Sequence, residues 1–169
     1  MVFYRKYRPQ TIEELDSKEV RDKLITILSR PSSFHALLFT GPKGLGKTSA
    51  ARIVAKVVNC EKINQRPTRS TSSGRETKGQ RPITEPCNKC LQCTSITNGT
   101  NIDVLEIDGA SNRGIDEIRD LREKIKLSSA SALKKVYIID EVHMLKTEAF
   151  IALLKPLEEP PRHVIFILC

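Results

Sequence analysis

The segment Gly41-Pro42-Lys43-Gly44-Leu45-Gly46-Lys47-Thr48 fits the pattern G-x-x-x-x-G-K-[ST] without a gap. A short apolar run, Ala36 to Thr40, precedes it and reads as a buried strand. Lys47 to Asn59 follows, and its Ala50, Ala51, Ile53, Val54, Val57 and Val58 read as a buried helix. Each part has a physical reason. Glycines let the backbone turn its N–H groups inward around phosphate oxygens. The helix aims its positive N-terminal end at the same anion. Lys47 then reaches the β- and γ-phosphates, and Thr48 supplies a hydroxyl to magnesium. The alternative is a glycine-rich turn that binds nothing. The strand before and the helix after argue for the phosphate loop.

Outward from this loop, strand and helix patterns alternate. Val20, Leu24, Ile27 and Leu28 recur at helical spacing, and Pro31 stops that helix. Ile102 to Ile107 reads as a strand, Ile115 to Ile125 as a helix, Val136 to Ile139 as a strand, Thr147 to Leu157 as a helix and Val164 to Leu168 as a last strand. This order predicts an α/β fold, a parallel sheet with helices on both faces. Glu61 to Pro86 is rich in Ser, Thr, Arg, Lys, Gly and Pro, with Ile63 and Ile83 its only aliphatic residues. It is expected to form a mobile loop.

Val136-Tyr137-Ile138-Ile139-Asp140-Glu141 is an apolar strand that ends in two carboxylates. In P-loop ATPases this is where magnesium is held and water is activated, so Asp140 is the candidate magnesium residue and Glu141 the candidate water-orienting base. Two solvated acids at a strand end are the plain alternative. Asp140-Glu141-Val142-His143 also spells the D-E-x-H of one helicase class. His143 is read as a capping or packed side chain rather than a helicase-type coupling residue.

Cys87-x-x-Cys90-x-x-Cys93 sets three thiols close together, and Cys60 lies just past the phosphate-loop helix. Four thiolates around a tetrahedral zinc would make a closed structural site and pin the intervening loop at both ends. Free buried thiols and an iron–sulfur cluster are the alternatives; the fourth cysteine and following proline of a ferredoxin run are absent. Cys169 stands alone and carries no metal role.

The chain has 169 residues, 39% hydrophobic and 28% charged, which is ordinary globular composition. No apolar stretch reaches the length of a membrane span, and no signal-peptide core follows the first residues, so a cytoplasmic protein is expected. The formal net charge of +8 fits either a basic soluble surface or contact with a polyanion such as nucleic acid. Five clustered or terminal cysteines in such a chain favour metal over disulfide.

Together these pieces resemble the gamma/tau family of clamp-loader subunits of bacterial DNA polymerase III. The resemblance is carried by Arg5 to Thr11, Gly41 to Ser49, Pro86 to Cys93, Glu106 to Gly114 with Asp116 to Arg119, Asp140 to Leu145 and Leu153 to Pro161. It covers nearly the whole chain except Glu61 to Glu85. It implies a three-layer α/β/α P-loop domain of the AAA+ type over residues 1–169, incomplete at its C-terminal end, with a zinc-binding insertion at 60–99 whose mobile loop is 61–86. It implies ATP, Mg2+ and Zn2+ as cofactors. ATP would lie against Gly41, Pro42, Lys43, Gly44, Leu45, Gly46, Lys47, Thr48 and Ser49. The lead-in around Tyr4, Tyr7, Arg8 and Pro9 would pack near the adenine. Metal ligands would be Cys60, Cys87, Cys90 and Cys93 for zinc, and Thr48 with Asp140 for magnesium. Lys47 and Glu141 would serve catalysis.

The implied function is the ATPase motor of a loader that opens the sliding clamp and sets it on primed DNA, within the polymerase holoenzyme. The implied partners are the other loader subunits, the sliding clamp and primed DNA, with no membrane. Arg113 and Arg119 would face DNA or simply be surface helix charges. Nothing in the chain resembles a polymerase active site. Departures from the family are the long 61–86 segment, Leu15-Asp16-Ser17 where Val-Gly-Gln is familiar, and Pro156 where Thr is familiar. Pro156 cannot donate to the Ala152 carbonyl and is expected to kink or fray its helix. The family continues past Leu168 into a sensor threonine, a Ser-Arg-Cys segment and further domains, so a fragment with weak ATP binding, slow turnover and an exposed sheet edge beside the phosphate-loop strand is expected. A helicase fragment and a non-catalytic binding module are the competing classes.

Overall fold

A computed structural model of the chain describes residues 7–29, 34–64, 85–111 and 115–169. In chain order the elements are α1 (Lys18–Leu28), β1 (Ala36–Leu38), α2 (Lys47–Asn59), a single turn α3 (Glu61–Asn64), α4 (Leu91–Asn98), β2 (Val104–Asp108), α5 (Ile115–Lys126), β3 (Lys135–Asp140), a 3-10 turn (Val142–Met144), α6 (Thr147–Glu158) and β4 (Val164–Leu168). The four strands form one parallel sheet in the order β1-β4-β3-β2.

The sheet is covered on both faces, which makes three layers. Successive strand residues point to opposite faces. Val136 and Ile138 of β3 and Ile165 and Ile167 of β4 therefore join Ile53, Val54, Val57 and Val58 of α2 in one apolar cluster. Tyr137, Ile139, Val164 and Phe166 join Ile118, Leu121 and Ile125 of α5 and Ala149 and Leu153 of α6 in the other. Tyr137 and Phe166 stack with ring centroids 5.7 Å apart. A strand buried on both faces has no polar alternation, which is why β3 reads as a continuous apolar run. Truncating one of its isoleucines to alanine would cost about 2–5 kcal/mol.

Three expectations change. β1 was expected to be buried. It is the sheet edge, and Leu38 is 64% exposed. This matches the expectation of an open edge beside the phosphate-loop strand, because strand order, not hydrophobicity, decides which strand is flanked. The segment expected as one loop at 61–86 opens with the helical turn Glu61–Asn64, tied by the Ile63 and Asn64 amides to the Cys60 carbonyl. Residues 65–84 lie outside the described residues. The helix expected to kink or fray at Pro156 does not fray there: it runs on to Glu158, with the Glu159 amide closing onto the Lys155 carbonyl. Near a helix end the proline forfeits one bond to Ala152 and little else. Among the described residues, no helix is long and apolar enough to cross a membrane.

Candidate functional site

The C-terminal ends of the strands carry the site. Gly46 caps α2 in the left-handed region at φ 79°, a conformation that admits glycine without strain. This turn points the first helical residues, Lys47 and Thr48, toward the end of β3. Gly41 to Leu45 are exposed, while Gly46 to Ser49 are half-buried. The Lys47 ammonium donates to the Gly41 and Pro42 carbonyls at 2.9 and 3.1 Å, so the charge sits inside the loop. The Thr48 hydroxyl donates to Asp140 Oδ2 at 2.6 Å. Sequence-distant candidates for one magnesium ion are thus in contact.

Behind Asp140 the chain turns sharply. Glu141 has φ 49°, in the left-handed region, and its amide donates to Asp140 Oδ1 at 3.0 Å. Two neighbours fix that turn. From β4, the Cys169 amide donates to the Ile139 carbonyl and the Cys169 carbonyl accepts the Val142 amide, each at 2.9 Å. From β2, the Gly109 amide donates to the Asp140 carbonyl at 2.8 Å. The β2–β3 register sets Asp108 beside Asp140. Burial pushes the Cys169 thiol up to about 12, and nearby Asp140 adds to the shift. His143 is not packed as expected: its side chain is 68% exposed, with Nε2 3.5 Å from Glu141 Oε2.

The lead-in candidates lie along α2. Tyr7 is exposed; Arg8 and Pro9 are half-buried and border a crevice with Gln10, Arg52, Lys56 and Thr97. Arg52 also makes a two-pronged ion pair with Glu106 of β2. Tyr4 and Arg113 lie outside the described residues. Arg119 is exposed on α5.

The four cysteines converge. Their sulfur atoms all lie within 4.8 Å of one another, and Cys87 and Cys93 are 4.0 Å apart. With metal–sulfur bonds of about 2.3 Å, a tetrahedral thiolate site has sulfur–sulfur edges of about 3.8 Å. The donor set fits one tetrahedral ion. Each arm is locally determined. Cys60 is the C-cap residue of α2, Cys90 the N-cap of α4, and Cys93 lies in the first turn of α4. Asn88, at φ 52°, turns the knuckle between Cys87 and Cys90. The Cys90 and Cys87 amides point at sulfur, donating to Cys87 Sγ and Cys60 Sγ at 3.3 and 3.5 Å. Burial pushes the Cys60 and Cys93 thiols up. Burial also opposes ionisation of Cys87, but the Lys89 and Cys90 amides and neighbouring thiols outweigh it and bring Cys87 down to about 6. A cation would release the buried thiols from that penalty.

Two residues of the site region escaped the sequence reading. Lys56 is 1% exposed in the middle of an apolar helix, and its place in the run Ile53 to Val58 was the available signal. Gly109 packs against the acidic turn, a contact that no local pattern announces.

The family model described as DNA polymerase III, delta subunit, matches residues 16–169. The tau subunit of Bacillus subtilis strain 168 is 51% identical over 98% of this chain and 26% of its own length. The tau subunit of Escherichia coli K12 is 42% identical over 99% of this chain and 23% of its own. The chain therefore spans about a quarter of the length of these curated relatives. Among solved structures, the Thermotoga maritima RuvB Holliday junction branch migration motor aligns with a TM-score of 0.51 at 19% identity, covering 96% of this chain and 40% of that one; this likeness shows the shared fold alone. The family model is described by the delta subunit and both relatives are tau subunits; identity of 51% along 98% of the chain makes the latter the finer guide. The chain belongs to the gamma/tau subunit family of bacterial DNA polymerase III.

Proposed function

We propose that residues 1–169 form the ATPase region of a clamp-loader motor subunit, with a zinc-binding insertion at 60–99. In this reading the whole protein binds and hydrolyses ATP to open the sliding clamp and set it on primed DNA, in a cytoplasmic assembly with other loader subunits. The contact of Thr48 with Asp140 carries the nucleotide reading, because it brings the two motif-derived magnesium candidates to one point beside Lys47.

The residues divide the work by position. Backbone amides from Lys43 to Thr48 and the Lys47 ammonium compensate charge on the phosphate oxygens. Thr48 and Asp140 would hold magnesium, which when bound neutralises charge on the transferred phosphoryl group. Glu141 orients and polarises the attacking water. Tyr7, Arg8 and Pro9 would lie along the adenine. Cys60, Cys87, Cys90 and Cys93 would hold zinc as a structural cross-link. Sulfurs within 4.8 Å of one another favour a single ion over a polynuclear iron–sulfur core.

Equilibrium binding of magnesium-ATP, beside hydrolysis by the full-length protein, tests this reading. Lys47→Ala should lose binding. Glu141→Gln should keep binding and lose turnover by on the order of 10²-fold or more. Unchanged hydrolysis in Glu141→Gln would instead favour a binding module without its own chemistry. DNA strand separation driven by ATP would favour the helicase class.

A further inference from the structure

Every described element that brings a thiol to the cysteine cluster also brings a contact to one lead-in residue, Gln10. On α2, Lys56 lies one turn before Cys60, and its ammonium donates at 2.8 Å to Gln10 O, Gln10 Oε1 and Asn88 Oδ1. In the knuckle, Asn88 follows Cys87, and its Nδ2 reaches Gln10 O at 3.3 Å. On α4, Thr97 lies one turn after Cys93, and its hydroxyl donates to Gln10 Oε1 at 3.3 Å. Glu85, two residues before Cys87, accepts the Ile12 and Glu13 amides at 2.9 and 3.1 Å. Whatever gathers the four thiols therefore also gathers the cradle that holds residues 10–13.

Lys56 sits at the centre of this arrangement. Its side chain is buried, and all three ammonium donors meet neutral oxygens. A buried cation among neutral partners is costly unless an anion stands nearby. Glu14 and Glu85 stand near enough to act on Lys56, and four thiolates around a divalent ion would add a net double negative charge one turn away at Cys60. The same cradle leads into Arg8 and Pro9, which flank the crevice over α2.

We propose that Lys56 is a positioning residue through which metal binding at the four cysteines holds residues 8–13 against the phosphate-loop helix, so that metal loss loosens that strap and weakens nucleotide binding. The nucleotide half of this inference rests on the function proposed above.

The test uses the full-length protein with and without zinc removal by a chelator, beside Lys56→Met and Gln10→Ala. Bound zinc, amide exchange at Ile12 and Glu13, and magnesium-ATP affinity are measured on each. Removing zinc from the unaltered protein should speed exchange at both amides at least tenfold and weaken ATP binding several-fold, with turnover at saturating ATP unchanged. Lys56→Met should retain zinc, show part of the same loosening, and loosen by less than the parent on chelation, because the Asn88, Thr97 and Glu85 contacts remain. Gln10→Ala, which touches no core packing, should do likewise and stands in if Lys56→Met fails to fold. Zinc-loaded variants with unaltered exchange, or chelation that loosens variant and parent equally, would overturn the coupling. An unaltered protein without zinc would overturn the metal reading and the coupling with it. Loosening at Ile12 and Glu13 without any ATP binding would overturn the nucleotide reading and its half of the inference, and would support the link from metal to strap.

Discussion

The Thr48 hydroxyl donates to Asp140 Oδ2 over 2.6 Å, across 92 residues of sequence. The contact ties the first turn of α2 to the end of the most buried strand, so the phosphate loop and the acidic turn are bonded directly to each other. A neutral donor on a carboxylate of this kind is worth about 1.5–3 kcal/mol at most, and less where half-exposed.

Thr48→Ala should therefore destabilise the fold by only about 1 kcal/mol. Magnesium-dependent ATP hydrolysis by the full-length protein should fall by on the order of 10²-fold, the scale of losing one electrostatic partner of a phosphoryl transition state. Thr48→Ser should retain both. Denaturant titration and phosphate release across a magnesium series would separate these effects. Normal hydrolysis by Thr48→Ala at low magnesium would reduce the contact to a tertiary link.

Gly109 meets the same turn from β2. A Cβ there would lie 2.7 Å from the Glu141 carbonyl oxygen and 3.0 Å from that of Asp140. Both are backbone atoms and cannot swing aside. Gly109→Ala should cost about 1–3 kcal/mol, the usual scale of overpacking. It should also lower turnover more than ATP affinity, because the displaced peptide carries Glu141 and the phosphate loop is untouched. Equal loss of affinity and turnover would show that the displacement spreads into Gly41 to Thr48.

How much of this was legible before the structure depends on the range of the forces involved. The loop at Gly41 to Thr48, helix α2 and strand β3 follow from local pattern, and so does the gathering of Cys87, Cys90 and Cys93. The edge position of β1 does not, since Ala36 to Phe39 reads as apolar whether or not a strand lies on its far side. Helix α6 survives Pro156 because its other residues pack Ala149 and Leu153 into the core, and tertiary burial outweighs one lost bond. Lys56 drew no reading from the sequence. Its three partners come from Gln10 and Asn88, which are 46 and 32 residues away, and no periodicity encodes them.

Asp103 offers a pH test of the same long-range logic. It is 1% exposed, and its carboxylate accepts the amides of Ala130, Ser131 and Ala132, each at 2.8 Å. Burial pushes its pKa up, but those three amides and the Ser131 hydroxyl outweigh it and hold the group below its ordinary 3.8. A depressed carboxylate contributes stability that is complete above 3.8 and is lost as pH falls through the folded value. Asp103→Asn should cost about 1–3 kcal/mol at neutral pH. Its stability should then fall less steeply than the parent's below pH 3.8. Parallel acid limbs in the two denaturation series would show that Asp103 does not govern this region.

The edge of the sheet gives a prediction about association. The Phe39 amide is bonded to the Leu168 carbonyl, and β1 pairs with β4 on that side only. Its outer side and the 64% exposed Leu38 are open among the described residues. An unflanked parallel edge with an apolar side chain is a template for another strand. The 169-residue chain should therefore self-associate as its concentration rises. Leu38→Lys should suppress this by placing a charge where a docking strand would bury it, while leaving the core of β3 and β4 intact. Sedimentation across a concentration series would read the effect, with thermal melting as the control for folding. If association persists in Leu38→Lys at unchanged stability, the contact lies elsewhere, and the exposed Phe150, Ile151 and Leu154 of α6 become the next face to alter.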